Sequence, residues 1–202
     1  MPKPYTPLSK LPQFDPRKVP VIRHDSHLPA VDAQRFTPEA LRQRFARPPE
    51  WQPEVVRERR FSSREPALAA VLLGIVLREQ PTVLLTQRTE DMPSHAGQIA
   101  FPGGRVDDAD AGEIEAALRE SHEEIGLHPR DVRILGKLDQ IDAAYGYRVT
   151  PFVGIIPPTY EFRLNPAETA AVASVPIAAL LEPANFALDD RPSPRGHPSY
   201  HF

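Results

Sequence analysis

Residues 67–77, ALAAVLLGIVL, run for eleven positions without a charge. A bilayer span needs about 20 apolar residues, so this run is too short to cross a membrane. It reads instead as a buried strand. TVLLTQRT (82–89) follows after REQP, a hairpin turn in composition. GQIAFPGG (97–104) is a short strand ending in a Pro-Gly-Gly turn. DVRILGKLDQI (131–141) and YRVTPFVGIIP (147–157) are two further strand-like runs. NPAETAAVASVPIAALLEP (165–183) reads as an Asn-Pro turn, an irregular acidic loop and a short helix. With one helix between the third and fourth strands, the order gives a mixed α/β sandwich and not a regular βαβ repeat.

The 25 prolines gather mainly outside this central region. Residues 1–66 are therefore expected to form a Pro/Arg-rich N-terminal extension, and 67–202 the folded domain. Within the extension, TPEALRQRFA (37–46) predicts a short helix capped by Thr37, with Pro38 at its first position. At 202 residues and 41% apolar, the chain can bury a sizeable core. It has no cysteine, which excludes disulfides, thiolate metal sites and a cysteine nucleophile. A net charge of −3 gives no general attraction to nucleic acid or to anionic membrane. A soluble, cytoplasmic protein is the expectation. Its oligomeric state is open, a homodimer included. The end, HPSYHF, reads like the beginning of a strand.

The helix between the strands poses a question of charge. Asp110 followed by Glu113 predicts an N-cap at the aspartate, and Gly126 fits the left-handed position past the end. Ile114, Ala117, Leu118, Ser121 and Ile125 share a face suited to packing on a sheet. Glu113, Glu120 and Glu124 share another face, with Glu123 beside them, and like charges at such spacings repel. A solvated acidic face is one reading. The other is a site for a hard divalent cation, which prefers carboxylate oxygens and completes its shell with substrate phosphates.

GRVDDADAGEIEAALRESHEEIGL (104–127) resembles the Nudix box, G-x5-E-x7-R-E-U-x-E-E-x-G-U, with U aliphatic. Arg119, Glu120, Glu123, Glu124, Gly126 and Leu127 match it position for position. Ser121 replaces the usual aliphatic residue. The gap from Gly104 to Arg119 is one residue longer than the general form, and Asp110 or Ala111 stands where the first glutamate would be. LLTQRTEDMPSHAGQIAFPGG (84–104) resembles the signature of the coenzyme A diphosphatase subgroup, LLTxRxxxxxxHxGQxxFPGG, which also carries a longer loop with aspartates.

The resemblance implies a Nudix-type α/β/α sandwich with a mixed sheet, and hydrolysis of a pyrophosphate linkage with Mg²⁺ or Mn²⁺. It implies Glu120, Glu123 and Glu124 as metal ligands and Arg119 as an orienting partner, with Gly103 and Gly104 shaping the backbone near metal and phosphate. The base is Glu168, in the NPAE loop, or Glu124, with Asp142 a weaker choice. Glu168 also reads as a surface acid capping the segment after Asn165–Pro166. His95 and Gln98 are expected to meet adenosine, a phosphate or neighbouring backbone. Arg88 reads equally as a phosphate ligand or a strand-end ion pair. RERRFSSRE (57–65) is either a contact for the 3′-phosphate of coenzyme A or a solvated linker. Tyr145 and Tyr147 fit the core or a rim better than a ring-stacking role. The implied substrate is coenzyme A or an acyl-CoA. ADP-ribose, a dinucleotide or a nucleoside triphosphate, and a nucleotide sensor without turnover, are the competing readings.

Overall fold

The computed structural model describes residues 20–50, 65–91, 96–143, 146–189 and 199–201. His95, Tyr145 and residues 57–64 of the basic run lie outside them. In chain order the elements are β1 (Val21–His24), α1 (Pro38–Ala46), β2 (Ala67–Val76), β3 (Thr82–Arg88), β4 (Ile99–Ala100) and β5 (Gly103–Arg105). Next come α2 (Glu113–Ile125), β6 (Arg133–Lys137), β7 (Ile141–Ala143), β8 (Tyr147–Ile156) and β9 (Thr169–Pro176). The last are α3 (Ile177–Leu180), β10 (Ala187–Asp189) and β11 (Ser199–His201). The architecture is mixed α/β, as expected. Among the described residues no helix is long and apolar enough to cross a membrane.

The chain divides into two compact units, 1–31 with 179–202, and 32–178. In the first, β1, β10 and β11 form an antiparallel sheet, and HPSYHF supplies its last strand. The second unit holds an eight-stranded sheet. Its spine is a parallel pairing of β2 with β8, in register from Ala67↔Tyr147 to Val76↔Ile156. All other pairings in this sheet are antiparallel, so the sheet is mixed.

Because β8 occupies one whole edge of β2, the other edge is shared. β3 pairs there only at Ile75 and Val76, and β5 takes over at Ala69–Val71. The PGG turn sits in this fork, where Leu72 N–H donates to Pro102 O at 2.8 Å. The glycines expected to lie in the turn in fact open β5.

The segment after Asn165–Pro166 differs more. Its composition predicts an irregular loop, yet Thr169–Pro176 is a strand paired along the full length of β3. Small residues have weak strand propensity of their own, and pairing with a neighbour decides the conformation.

Alternation along β2 sends Ala70, Leu72 and Val76 into the core. Leu72, Val76, Leu84, Ile125, Leu127 and Ile156 form one buried cluster, and Ala70, Ala116, Ala117 and Phe152 a second. Helix α2 lies over both. Its buried face differs from the expected one, since Ile114 is 40% exposed whereas Ala116 is fully buried. Small side chains, Ala116 and Ala117, share a buried cluster with Ala70 and Phe152. Ser121 is buried too, and its hydroxyl donates to Ala117 O at 2.7 Å, so a polar residue is tolerated at an aliphatic position.

Candidate active site

Arg119 is the centre of the acidic cluster. Its Nε donates to Asp110 Oδ1 at 2.9 Å and its Nη2 to Asp110 Oδ2 at 3.0 Å, a paired geometry among the stronger charge-assisted kinds. Nη1 donates to Glu120 Oε1 at 3.0 Å and to Glu123 Oε2 at 3.1 Å, and Nη2 also to Arg105 O at 3.2 Å. One cation therefore offsets much of the glutamate repulsion. Hydrogen bonding to Asp110, and then to Glu120, raises the Arg119 pKa further above its ordinary range.

These contacts correct the expected N-cap. The helix begins at Glu113, with Gly112 as cap residue and no side-chain capping bond. The Asp110 carboxylate is taken up by Arg119 and by Asp107 N–H, at 2.8 Å, and cannot also serve the helix start. Arg119 and then the Asp107 N–H hold its pKa below the ordinary carboxylate value. Of the two residues that stand where the first glutamate would be, Asp110 is the one that pairs with the arginine. The C-terminal end matches expectation: Gly126 is left-handed (φ 70°) and its N–H donates to His122 O at 2.9 Å.

The four glutamates do not share one environment. Glu113 is two turns from Glu120, and its Oε1 accepts from Thr150 Oγ1 at 2.7 Å and Gln140 Nε2 at 2.9 Å. Glu123 is half exposed and turned to Arg119. Glu124, expected on a face kept off the core, is only 4% exposed. Its Oε2 accepts from Gly103 N–H at 3.3 Å, and its Oε1 lies 3.7 Å from Arg88 Nη1. Burial pushes its pKa up to about 7, with Glu120 and Glu168 adding to the rise and Gly103 and Arg88 opposing it. Burial also raises Glu120, with Glu123 and Glu168 contributing and Arg119 opposing. Glu120 and Glu124 therefore both feel Glu168, which belongs to a different element.

Glu168 is held by its neighbours. Its carbonyl accepts from Thr89 N–H at 3.0 Å, and its Oε1 accepts from Asn165 Nδ2 at 3.2 Å. Together with Arg88, Gln98, Gly103, Gly104 and Glu120 it lines a cleft of about 400 Å³. Ala69 and Val71 from β2 and Tyr147 and Val149 from β8 also line it. These are the positions whose alternation points away from the core, a signal present in the sequence but not assigned to a site. Tyr147 sits at this rim, 37% exposed. Asp142 is not among the lining residues, and its carboxylate is engaged by Arg148 at 2.8 and 3.2 Å.

Gly104 lets the helix approach β5, and Gly103 lets β5 approach β2. A Cβ on Gly104 would lie 2.5 Å from Glu120 Cδ, and one on Gly103 would meet the Ala70 carbonyl and stand 2.6 Å from Val71 Cα. Gly103 also has φ 148°, which few side chains accept. Gly103→Ala is accordingly expected to cost about 2–4 kcal/mol, since the backbone must move. Gly104→Ala should cost about 1 kcal/mol or less, because a side-chain tip can yield, while displacing the Glu120 carboxylate. Urea denaturation of both variants checks the order, and equal costs would contradict it.

Oxygen donors of this kind suit a hard divalent cation. Among the described residues no three acidic or histidine side chains form a ready-made cage. Glu123 is drawn to Arg119 and Glu124 to the Gly103 N–H, which accounts for the spread. The donor set still fits: Glu120 and Glu124 are carboxylates withdrawn from water, electrostatically coupled to each other and to Glu168.

The NUDIX domain model matches residues 67–195. The chain belongs to the Nudix family. In this Nudix chain the match contains the acidic helix, the glycine fork and Glu168. It is 52% identical over 113 residues to Uncharacterized Nudix hydrolase NudL of Escherichia coli K12, covering 56% of this chain and 59% of the relative. The match to NudL of Shigella boydii serotype 18 has the same identity and extent. The chain thus spans under two thirds of the relatives it matches. Among solved structures it is similar to RenU, a Nudix hydrolase of M. smegmatis (TM-score 0.49, 21% identity, 58% of this chain and 74% of that one). It is also similar to the NUDIX domain of Shewanella oneidensis NrtR, solved with ADP ribose (TM-score 0.45, 22% identity, 58% and 77%).

Proposed function

We propose that the protein is a divalent-metal-dependent pyrophosphohydrolase acting on coenzyme A or an acyl-CoA. The products are phosphopantetheine, or its acyl form, and adenosine 3′,5′-bisphosphate. One observation carries the reading: Glu120 and Glu168 line one cleft with Arg88, Gln98 and the glycine fork, and Glu124 borders it through the Gly103 N–H and Arg88. The subgroup pattern over 84–104 supplies Arg88, Gln98, Gly103 and Gly104 to that lining, and supports coenzyme A over other nucleotides. Residues 67–202 form the Nudix unit in this reading, with 1–66 as its extension.

Glu120, Glu123 and Glu124 hold Mg²⁺ or Mn²⁺. When bound, the metal neutralises pyrophosphate oxygens and makes a water nucleophilic at neutral pH. Arg119 keeps Glu120 and Glu123 oriented through its hydrogen bonds. Arg88 offers its guanidinium to a phosphate, and its Nε is buried without an acceptor among the described residues. Glu168 acts as general base. As the water oxygen attacks phosphorus its proton passes to the Glu168 carboxylate, and the bond from phosphorus to the bridging oxygen breaks. Gln98, Gly103 and Gly104 shape the substrate-facing backbone, and the subgroup pattern assigns His95 to substrate binding as well.

Incubation with coenzyme A, ADP-ribose and NADH, each with Mg²⁺, Mn²⁺ or EDTA, tests the proposal by mass spectrometry of the products. Metal-dependent release of adenosine 3′,5′-bisphosphate, faster than cleavage of the other two, is expected. Preferential cleavage of ADP-ribose or NADH would reject the coenzyme A assignment while keeping the chemistry. Metal-independent ligand binding without turnover would favour a nucleotide sensor.

A further inference from the structure

The segment between β8 and β9, residues 157–168, is fastened to the end of the acidic helix. A helix leaves its last carbonyls without internal partners. Here three successive ones are taken up by this segment. Asn165 N–H donates to Glu124 O and Arg163 N–H to Ile125 O, both at 2.9 Å, and the Tyr160 hydroxyl donates to Gly126 O. Tyr160 also accepts from His128 N–H at 2.9 Å. The carbonyl of Glu124, a residue assigned to the metal, is therefore bonded directly to Asn165.

The Asn165 side chain faces the other way along the segment. Its Oδ1 accepts from Ala167 N–H at 3.1 Å, closing a tight local turn, and its Nδ2 donates to Glu168 Oε1 at 3.2 Å. Its carbonyl accepts from Glu168 N–H at 3.1 Å and Thr169 N–H at 2.8 Å. On the far side Thr89 secures the turn, donating from N–H to Glu168 O and from Oγ1 to Ala167 O. One residue thus joins the main chain of Glu124 to the carboxylate of Glu168.

We propose that Asn165 is a positioning residue that fixes the Glu168 carboxylate relative to Glu120 and Glu124. The inference rests on the reading of Glu168 as general base. An amide suits the task because Oδ1 shapes the turn while Nδ2 restrains one carboxylate oxygen and leaves the other for a proton. Aspartate would keep the turn acceptor and lose the donor.

The test is a cycle of Asn165→Asp, Glu168→Gln and the double variant, assayed on coenzyme A with Mg²⁺ and by thermal melting. Asn165→Asp is expected to lower kcat about 10- to 100-fold with KM within about twofold, the scale of loss from a misplaced reacting group. It should also lower Tm. In the double variant the amide introduced at position 168 can donate to the carboxylate introduced at position 165. Tm should therefore recover while kcat stays at the level of Glu168→Gln alone. A near-native kcat for Asn165→Asp, or a double variant whose kcat loss is the product of the single losses, would overturn the proposal. If the wild-type chain hydrolyses none of the nucleotides offered, the functional reading fails. The melting cycle then decides the positioning contact, with additive Tm losses counting against it.

Discussion

Glu124→Gln is expected to stabilise the metal-stripped protein and to abolish most hydrolysis. Burial raises the Glu124 carboxyl from 4.5 to about 7 in the folded chain. Each pH unit is worth about 1.4 kcal/mol, so an ionised Glu124 costs about 3 kcal/mol at pH 8 in EDTA. The sign follows from proton counting. Between the unfolded value and about 7 the folded state keeps a proton that the unfolded state releases, so wild-type stability falls as pH rises through this window. The amide of the variant carries no such proton, and its oxygen can still accept from Gly103 N–H. Urea denaturation in EDTA at pH 5 and pH 8 should show a pH-dependent loss for wild type that is largely absent from the variant. An equal pH slope in both would contradict the burial argument. The same substitution removes a ligand proposed for the metal, and kcat should fall by about 10²-fold or more. A near-native rate would sink the assignment of Glu124 to the metal.

Arg119→Ala carries the second large effect, in the opposite sense for stability. Arg119 donates to Asp110, Glu120, Glu123 and the Arg105 carbonyl. Its removal leaves the buried Asp110 carboxylate and the Glu120–Glu123 pair without their shared cation. Breaking a fully buried pair costs about 3–5 kcal/mol, and partial exposure of Arg119 lowers the expected loss to about 2–3 kcal/mol. Arg119→Lys should recover little, because an ammonium cannot span both Asp110 oxygens and two glutamates at once. Urea midpoints near wild type for either variant would show the cluster to be held by other means. Catalysis should fall with KM changed less than kcat, since Glu120 and Glu123 lose their orientation rather than the substrate its contacts.

Legibility in the sequence followed how local each signal was. The runs at 67–77 and 82–89 became β2 and β3 because apolar and β-branched runs bounded by a turn are recognisable without knowing their partners. Thr37–Pro38 and Gly126 mark helix ends through residue-specific backbone chemistry, and both ends fall at those residues. Asp110 misled because its spacing to Glu113 imitates a capping box, whereas its partner is nine positions away and on the helix itself. Glu124 was legible as an acid but not as a buried one. Helical spacing sets it three positions from Ser121 and seven from Ala117, both buried, but its grouping with Glu113 and Glu120 masks that, and the β5 backbone that covers it comes from outside the helix. Strand β9 was hidden for a related reason, its conformation being set by β3, whose paired residues lie 81 (169 − 88) to 94 (176 − 82) positions earlier. Glu168 was noticed in its NPAE context. The bonds that hold it, from Asn165 and Thr89, became visible only in three dimensions.

The parallel pairing of β2 with β8 has a consequence for how the molecule comes into being. Its first partners, Ala67 and Tyr147, are 80 positions apart, by 147 − 67. Closing so long a loop costs entropy before any pairing repays it, which makes such sheets slow to form. During synthesis the acidic helix is made before β8 and before the segment that caps its last carbonyls. Until those arrive, the glutamates have Arg119 and water as their company, and the apolar runs of β2 and β3 have at most a hairpin to cover them. The chain is therefore most open to aggregation after residue 89 has emerged and before residue 176 has, when β8, the capping segment and β9 are all in hand.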